Sequence, residues 1–155
     1  MRLELTKRSD YAIRACLYLA LQDSSGHVPS RRIATEMDIP QRFLPQVLAD
    51  LAAAGIVDAQ IGRSGGYRLR RPASSLSIHE LVEAIEGPSR SAQCVLRQRS
   101  CDASRACAFH PAWARAQTAL IDVLAGTSLA EIAAAAGVAG SASAVGQPSL
   151  ERSPS

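Results

Sequence analysis

The segment "IVDAQIGRSGGYRLRR" (residues 56–71) says most about the fold. Two short strand-like runs flank a glycine-rich turn, and Pro72 follows the second run. This arrangement predicts a β-hairpin. No acidic residue occurs between residues 59 and 71, while arginines occupy the turn and the second run. The predicted hairpin is therefore basic.

Helical patterns precede the hairpin. The first predicts a helix over about residues 7–22 with Thr6 as its N-cap, and the second, "RRIATEM", follows Ser30 as its predicted cap. A third helix ends at Gly55. Helices followed by a hairpin in this order predict a winged helix-turn-helix domain, mainly α with a small β-hairpin.

The third helix, "PQRFLPQVLADLAAAG" (residues 40–55), is the predicted recognition helix, because the second helix of a helix-turn-helix enters the major groove. Pro45 is tolerated only in a first turn, which places the helix start near Gln41 or Arg42. The predicted buried face consists of Phe43, Leu44, Val47 and Leu51. Gln41, Arg42 and Gln46 then face outward at the end that approaches DNA.

Positive charge is concentrated in the predicted winged-helix domain. Residues 1–72 contain 11 Lys and Arg against 7 Asp and Glu, whereas residues 73–155 contain 6 against 7. Sixteen of the 17 basic residues are Arg, which makes bidentate contacts with phosphate and guanine. The predicted DNA contacts are Arg31, Arg32, Gln41, Arg42, Gln46, Arg63 and Arg68. A generic helical bundle with solvated arginines is the alternative that this pattern leaves open.

Capping patterns predict further helices beyond the hairpin. Ser77 and Glu80 have capping-box spacing, as do Ser128 and Glu131, and a long helix begins at Pro111. The side chains expected on one side of the long helix are Trp113, Gln117, Leu120, Ile121 and Leu124. The predicted divisions are 1–72 (winged helix-turn-helix domain), 73–110 (connecting helix and cysteine-rich loop), 111–137 (long helix and short terminal helix) and 138–155 (disordered tail).

The cysteine-rich loop contains candidate metal ligands. Cys94, Cys101, Cys107 and His110 have the spacing C-x6-C-x5-C-x2-H. Zinc sites usually take ligands from C-x2-C pairs, which do not occur here, whereas thiolates spread along one loop suit a larger iron–sulfur cluster. From the spacing alone, the loop could bind an iron–sulfur cluster, bind zinc or bind no metal. Cys16 lies in an apolar helical pattern and is expected to fill the core.

Composition and patterning argue against several classes of protein. No apolar run approaches the roughly 18 residues of a membrane helix, and the charged N-terminus is unlike a signal peptide. We therefore expect a cytoplasmic protein with reduced thiols and no membrane partner. No Ser/His/Asp set, carboxylate pair or phosphate-binding glycine loop indicates catalysis, so we expect no enzyme activity.

Four motifs resemble those of the bacterial iron–sulfur winged-helix transcriptional regulators, a family that includes IscR and NsrR. They are "MRLELTKRSDYAIRACLYLA", "GRSGGYRL", "SIHELVEAIEGP" and "CAFHPAWARAQ", and the resemblance covers about residues 1–135. It implies a homodimer, joined through residues 111–125, that binds a pseudo-palindromic operator in double-stranded DNA as a repressor. The cluster would sense iron or cluster status, redox stress or nitric oxide.

The resemblance also implies a ligand set. Cys94, Cys101 and Cys107 match the cluster thiolates, and His110 matches the fourth ligand of a 2Fe–2S site, which is slightly favoured over 4Fe–4S. Asp10 of the partner subunit is the alternative fourth ligand, for a 4Fe–4S site. A zinc or thiol switch on the same cysteines remains an alternative, as does, more remotely, a small iron–sulfur electron carrier.

This chain departs from the family pattern at three places. Six residues separate Cys94 from Cys101, where the family has five between the first two cysteines. Ile61 stands where relatives carry an arginine that enters the minor groove. Arg63 is the substitute candidate for that arginine. Pro45 replaces a glutamate that discriminates between DNA sites, so this discrimination is not expected here.

Overall fold

A computed structural model describes residues 5–22, 26–88 and 108–143, with side chains described as far as residue 137. The elements are α1 (Lys7–Ala20), α2 (Ser30–Glu36), α3 (Leu44–Ala53), β1 (Val57–Gln60), β2 (Gly66–Leu69), a 3₁₀ turn (Ala73–Ser75), α4 (Ile78–Glu86), α5 (His110–Gly126) and α6 (Leu129–Ser143). This order is the predicted winged helix-turn-helix followed by further helices. None of the described helices is both long and apolar enough to cross a membrane.

Side-chain caps start three of the helices. Thr6 Oγ1 accepts a hydrogen bond from the Ser9 backbone N–H at 3.2 Å, as predicted for the start of α1. At α4, Ser77 Oγ accepts from the Glu80 N–H at 3.2 Å while the Glu80 carboxylate accepts from the Ser77 N–H at 2.9 Å. The same reciprocal pair joins Ser128 and Glu131. Each pair satisfies backbone donors that a helix start leaves free, so both predicted capping boxes are confirmed.

The predicted cap of α2 is wrong. Ser30 is the first residue of the helix, and Pro29 occupies the cap position without a side-chain hydrogen bond. Pro29 has φ −59° and ψ 138°, so the chain turns from extended to helical one residue earlier than a serine cap would require.

The turn between α2 and α3 is held by α1. Asp38 adopts φ 51°, a left-handed conformation that Asp tolerates better than most residues. Arg14 of α1 donates from Nη1 to the Met37 carbonyl at 2.6 Å and to the Asp38 carbonyl at 3.4 Å. Since these carbonyls follow the end of α2, the guanidinium fixes the path of the chain into α3.

The recognition helix begins later than predicted. α3 starts at Leu44, after a turn that contains Gln41 and Arg42, and Pro45 lies in its first turn as expected. Phe43 was predicted to be buried, but 42% of it is exposed. Because Phe43 precedes the helix, its ring lies outside the apolar face of α3 and stacks at 6.2 Å on Tyr11 of α1.

The hairpin is an antiparallel pair in which Val57 faces Leu69 and Gln60 faces Gly66. Tyr67 of β2 also exchanges two backbone hydrogen bonds with Val28, at 2.8 and 2.9 Å. The segment before α2 therefore pairs with the hairpin. The hairpin, β1 and β2 with the turn between them, is the wing of the domain, and this pairing attaches it to the helix-turn-helix.

The core is formed by α1, α2, α3 and α4 together with β1 and the start of α6. The larger side chains that are wholly or almost wholly buried are Ile33, Leu44, Val47, Leu48, Leu51, Val57, Leu76, Leu81 and Leu129. Cys16 is also fully buried in this cluster, in agreement with its expected role as a core residue.

The C-terminal helices differ from the predicted pattern in two ways. No side chain of α5 is fully buried, and Leu120, predicted to share the face of Trp113 and Leu124, is 50% exposed. α6 was predicted to end near Gly137, yet the helix continues to Ser143. Alanines surround Gly137, and their high helix propensity favours continuation through a single glycine.

Candidate nucleic-acid interface

The N-terminal end of α3 presents polar side chains to solvent. Gln41 and Arg42 lie exposed in the preceding turn, and Gln46 lies exposed on the helix. The Arg42 guanidinium lies 4.6 Å from the centre of the Phe43 ring, so a cation–π contact orients it. The structure therefore places these three predicted contacts at one end of the recognition helix.

Two further arginines lie at the start of α2. Arg31 and Arg32 are both exposed. Arg31 lines a shallow cavity of about 190 Å³ together with Gln41 and Pro45, so α2 and the recognition helix present these side chains side by side. A helix that spans the DNA backbone needs cations at this position to contact phosphates.

The wing tip contains a tight turn with exposed side chains. The Gly65 N–H donates to the Gly62 carbonyl at 3.0 Å, and Arg63 is exposed within this turn. Ile61, beside it, is 100% exposed. A Cβ on Gly65 would lie 2.2 Å from the Gln60 carbonyl oxygen, so the sharp turn that projects Arg63 requires a glycine here.

Arg68 differs from the other predicted contacts because it already has an acidic partner. Its Nη2 and Nε lie 3.1 and 3.2 Å from Asp58 Oδ2 on the facing strand. The hydrogen bond from Arg68 is the main reason that the pKa of Asp58 lies below its usual range. The pair carries no net charge, whereas Arg63 makes no ion pair with any residue in the ranges that the structure describes.

Sequence reasoning missed an ion-pair network behind the recognition helix. Gln46 Nε2 donates to Asp50 Oδ1 at 3.0 Å, and Arg8 of α1 pairs with Asp50 Oδ2. The first contact has the i,i+4 spacing of a helix and was readable from the sequence. The second depends on how α1 crosses α3, for which the sequence carries no local signal.

The predicted metal ligands are described only in part. Cys94, Cys101 and Cys107 lie outside the described residues. His110 is the first residue of α5 and is partly exposed. Asp10 lies on α1, where its carboxylate pairs with Arg14 at 2.7 Å. Among residues 5–22, 26–88 and 108–143, no group of three or more His, Cys, Asp or Glu could hold a metal ion.

Cys16 lies in the core and is not among the candidate metal ligands. It is fully buried, and burial raises the pKa of its thiol to about 12. Thiolates are the form that binds metals and attacks disulfides, so Cys16 stays a neutral core residue.

The end of α4 is tied to the start of α1. The Glu86 carboxylate accepts hydrogen bonds from Ser9 Oγ at 2.5 Å and from the Thr6 N–H at 3.2 Å. Partial burial opposes ionisation, but these hydrogen bonds outweigh it and hold the pKa of Glu86 below its usual range. Glu86 is the last residue of α4, so the chain enters the cysteine-rich segment from a point fixed on α1.

Comparisons with known proteins identify a family and several relatives. A sequence model of the Rrf2 family, described as an iron-dependent transcriptional regulator, matches residues 5–135. An rrf2-like HTH-type transcriptional regulator of Rhodobacter capsulatus is 40% identical over 103 residues, which cover 63% of this chain and 69% of the relative. The HTH-type transcriptional regulator IscR of Cereibacter sphaeroides is 37% identical over 86 residues, 54% of this chain and 56% of that protein.

The fold also matches a solved structure. CymR, the global cysteine regulator of B. subtilis, superposes with a TM-score of 0.72 and 23% identity over 86% of this chain and 98% of that chain. At this identity the likeness establishes the winged-helix fold with its C-terminal helices, which agrees with the fold predicted from the sequence.

Proposed function

The chain belongs to the Rrf2 family of DNA-binding transcriptional regulators, and from this premise we propose that it is a cytoplasmic, homodimeric repressor with an iron–sulfur cluster as its sensor. The family consists of transcriptional regulators and not of enzymes. The observation that carries the DNA-binding part is the exposed polar end of α3, which lies next to Arg31 of α2, together with the exposed Arg63 at the tip of the hairpin.

Operator binding follows from the geometry of this surface. Gln41, Arg42 and Gln46 provide side chains that can reach base edges, and Arg63 provides a phosphate or minor-groove contact. Two copies of the surface in a homodimer would read the half-sites of a pseudo-palindrome, spaced one helical turn apart or a multiple of it. A gel shift on the protein's own promoter tests this, and complex formation should fall steeply with salt.

A homodimer is supported by the exposed apolar side of α5. Leu120 is half exposed, and Val123 is 66% exposed one turn along the same helix. Trp113 Nε1 and Gln117 Oε1 are enclosed and make no hydrogen bond to any part of the chain that the structure describes. A second α5 packed against this side would bury the apolar side chains. Light scattering should give twice the chain mass.

The fourth cluster ligand is better supplied by His110 than by Asp10. His110 is partly exposed at the N-terminal end of α5, where the positive end of the helix dipole favours an anionic group. Asp10 would first have to leave its ion pair with Arg14. This favours a 2Fe–2S site on Cys94, Cys101, Cys107 and His110, where the cluster would supply a centre that responds to iron supply, oxidants or nitric oxide.

The sensing step would act through the spacing of the two recognition helices. The cysteine-rich segment lies in the chain between the end of α4, fixed on α1 by Glu86, and the dimer helix α5. Ordering or loosening that segment would shift one winged-helix unit relative to the other. A spacing that no longer matches the half-sites lowers operator affinity.

Oxygen-free preparation tests the cluster. The protein should show a visible chromophore with iron and acid-labile sulfide, and Cys101→Ala should abolish the chromophore while the dimer remains. Cys16→Ala is the control and should keep the chromophore, since Cys16 is enclosed in the core. One zinc per chain without sulfide would instead support a zinc switch, and a colourless protein free of both metals would reject a metal sensor.

A further inference from the structure

The recognition helix α3 contains one acidic residue, Asp50, which lies one helical turn after Gln46, a residue predicted to contact bases. The side chain of Asp50 is 26% exposed. A carboxylate near DNA ordinarily repels phosphates. Here both carboxylate oxygens are occupied, Oδ2 by the guanidinium of Arg8 and Oδ1 by the amide of Gln46 at 3.0 Å.

This contact fixes the orientation of the Gln46 amide. An ionised carboxylate only accepts hydrogen bonds, so Gln46 must turn its NH₂ group toward Asp50. The flipped amide would place Oε1 against a carboxylate oxygen, which is repulsive. One N–H is used by Asp50, which leaves the other N–H and Oε1 for a ligand. Such an adjacent donor and acceptor is the set with which Gln binds N7 and N6 of adenine.

We propose that Asp50 is a positioning residue for base recognition, which holds the Gln46 amide in the orientation that reads adenine. The inference rests on the proposed operator binding by α3, and it adds a base preference: one A·T pair in each half-site. A glutamine without such a partner can turn its amide and match other bases, so its selectivity is lower.

Arg8 makes the arrangement compatible with DNA. Its guanidinium, carried by α1, neutralises the carboxylate that orients Gln46. Without Arg8, Asp50 would keep its hydrogen bond to Gln46 but present an unpaired negative charge beside the phosphates. Arg8→Ala should therefore weaken binding to every duplex to the same degree and leave the base preference in place.

Binding to defined duplexes tests the role of Asp50. The wild-type protein first selects a consensus duplex from a random duplex library without oxygen. Fluorescence anisotropy then gives its affinity for duplexes that carry each of the four base pairs at each position. The variants are Asp50→Asn, Gln46→Ala and the double variant. Glu36→Gln is the control, because it removes one carboxylate from the exposed side of α2.

We expect the wild type to prefer A·T by about tenfold at one position of each half-site. Asp50→Asn should lose most of this preference, because the Asn amide can pair with either orientation of Gln46. In the Gln46→Ala background, Asp50→Asn should change nothing further at that position. Glu36→Gln should keep the full preference, and any gain in affinity from the lost charge should be equal for all duplexes.

Two outcomes separate this inference from the function on which it rests. A full A·T preference in Asp50→Asn would overturn the positioning role and leave operator binding intact. A wild-type protein that bound all library duplexes equally would overturn operator recognition itself. Asp50→Asn is nearly isosteric, and an unchanged melting temperature would show that lost preference reflects the amide rather than lost folding. The variant also frees Arg8 from its carboxylate, and any gain in affinity from this charge should be equal for all duplexes.

Discussion

At the scale of single residues, Gly66 shows what the wing requires of its sequence. It begins β2 with φ +153°, and the next residue, Tyr67, pairs through its backbone with Val28. A Cβ on Gly66 would lie 2.3 Å from the Val28 carbonyl oxygen. No rotation of a side chain relieves a clash with backbone, so only glycine lets the strand approach the segment before α2.

Gly66→Ala should lower the free energy of unfolding by about 2 kcal/mol, because it adds both a backbone clash and a strained φ. Urea denaturation followed by circular dichroism measures the change. Gly126→Ala is the control, since nothing lies within 4 Å of its added methyl group and the helix favours Ala. A Gly66→Ala variant as stable as the wild type would contradict the argument.

At the scale of elements, the wing contains two kinds of arginine. Arg63 is exposed in the tip turn, while Arg68 neutralises Asp58 on the facing strand. Only a cation without an intramolecular partner adds its full charge to phosphate binding, because a paired one must first leave its carboxylate. The wing should therefore contact DNA chiefly through its tip.

Arg63→Ala should weaken operator binding and reduce the slope of log affinity against log salt by about one for each wing that loses a phosphate contact. Anisotropy titrations at several salt concentrations measure both effects. Arg115→Ala removes an exposed arginine from α5 instead, and it should leave the slope unchanged. If Arg63→Ala bound with wild-type affinity and slope, the wing tip would not contact phosphate.

The contact between α4 and α1 gives stability that depends on pH. Ser9 and Thr6 hold the pKa of Glu86 below its ordinary value of 4.5, so the ionised form stabilises the folded chain above that pH. The contribution disappears as the pH falls through the lowered pKa. It amounts to about 1 kcal/mol or less, because solvent screens this largely exposed carboxylate.

Glu86→Gln should therefore be less stable than the wild type at pH 7, and the difference should shrink as the pH falls below 4.5 and through the lowered pKa. Thermal unfolding at a series of pH values measures it. Glu36→Gln, which removes an exposed carboxylate from α2, is the control and should be as stable as the wild type at pH 7. A stability difference for Glu86→Gln that stayed constant down to acid pH would show that packing, rather than charge, accounts for it.

The starts of helices were predicted correctly where the capping residues lie close together in the sequence. The capping boxes at Ser77 and Ser128 satisfy donors within four residues, so their spacing is enough to identify them. The predictions failed at Ser30, where Pro29 already sets the backbone, and at Phe43, which packs on Tyr11 from another helix. A contact between elements carries no periodic signal, so the Phe43 error was not avoidable from pattern alone, whereas the Ser30 error has a local cause in the neighbouring Pro29.

At the scale of the whole molecule, α1 connects the parts that the sequence presents separately. Its first turns contact the end of α4 through Ser9 and the recognition helix through Arg8. The predicted DNA-facing side chains were readable from the sequence as exposed polar residues on α3. The support of Gln46 by Asp50 has i,i+4 spacing and was readable too, but the ion pair of Asp50 with Arg8 was not, because ion pairs between distant residues depend on the packing of helices. A displacement of the end of α4 would therefore be transmitted to α3 through α1.

The final prediction concerns the proposed dimer interface on α5. Leu120→Glu would place a charge in the apolar interface between two α5 helices, where desolvation without a partner is costly. We expect light scattering to show a monomer with wild-type helix content, and operator affinity to fall because two linked half-site contacts become independent. Thr118→Glu places the same charge on the exposed polar side of α5 near Asp122, and it should leave the dimer intact. A dimeric Leu120→Glu protein with full operator affinity would show that subunits associate through another surface.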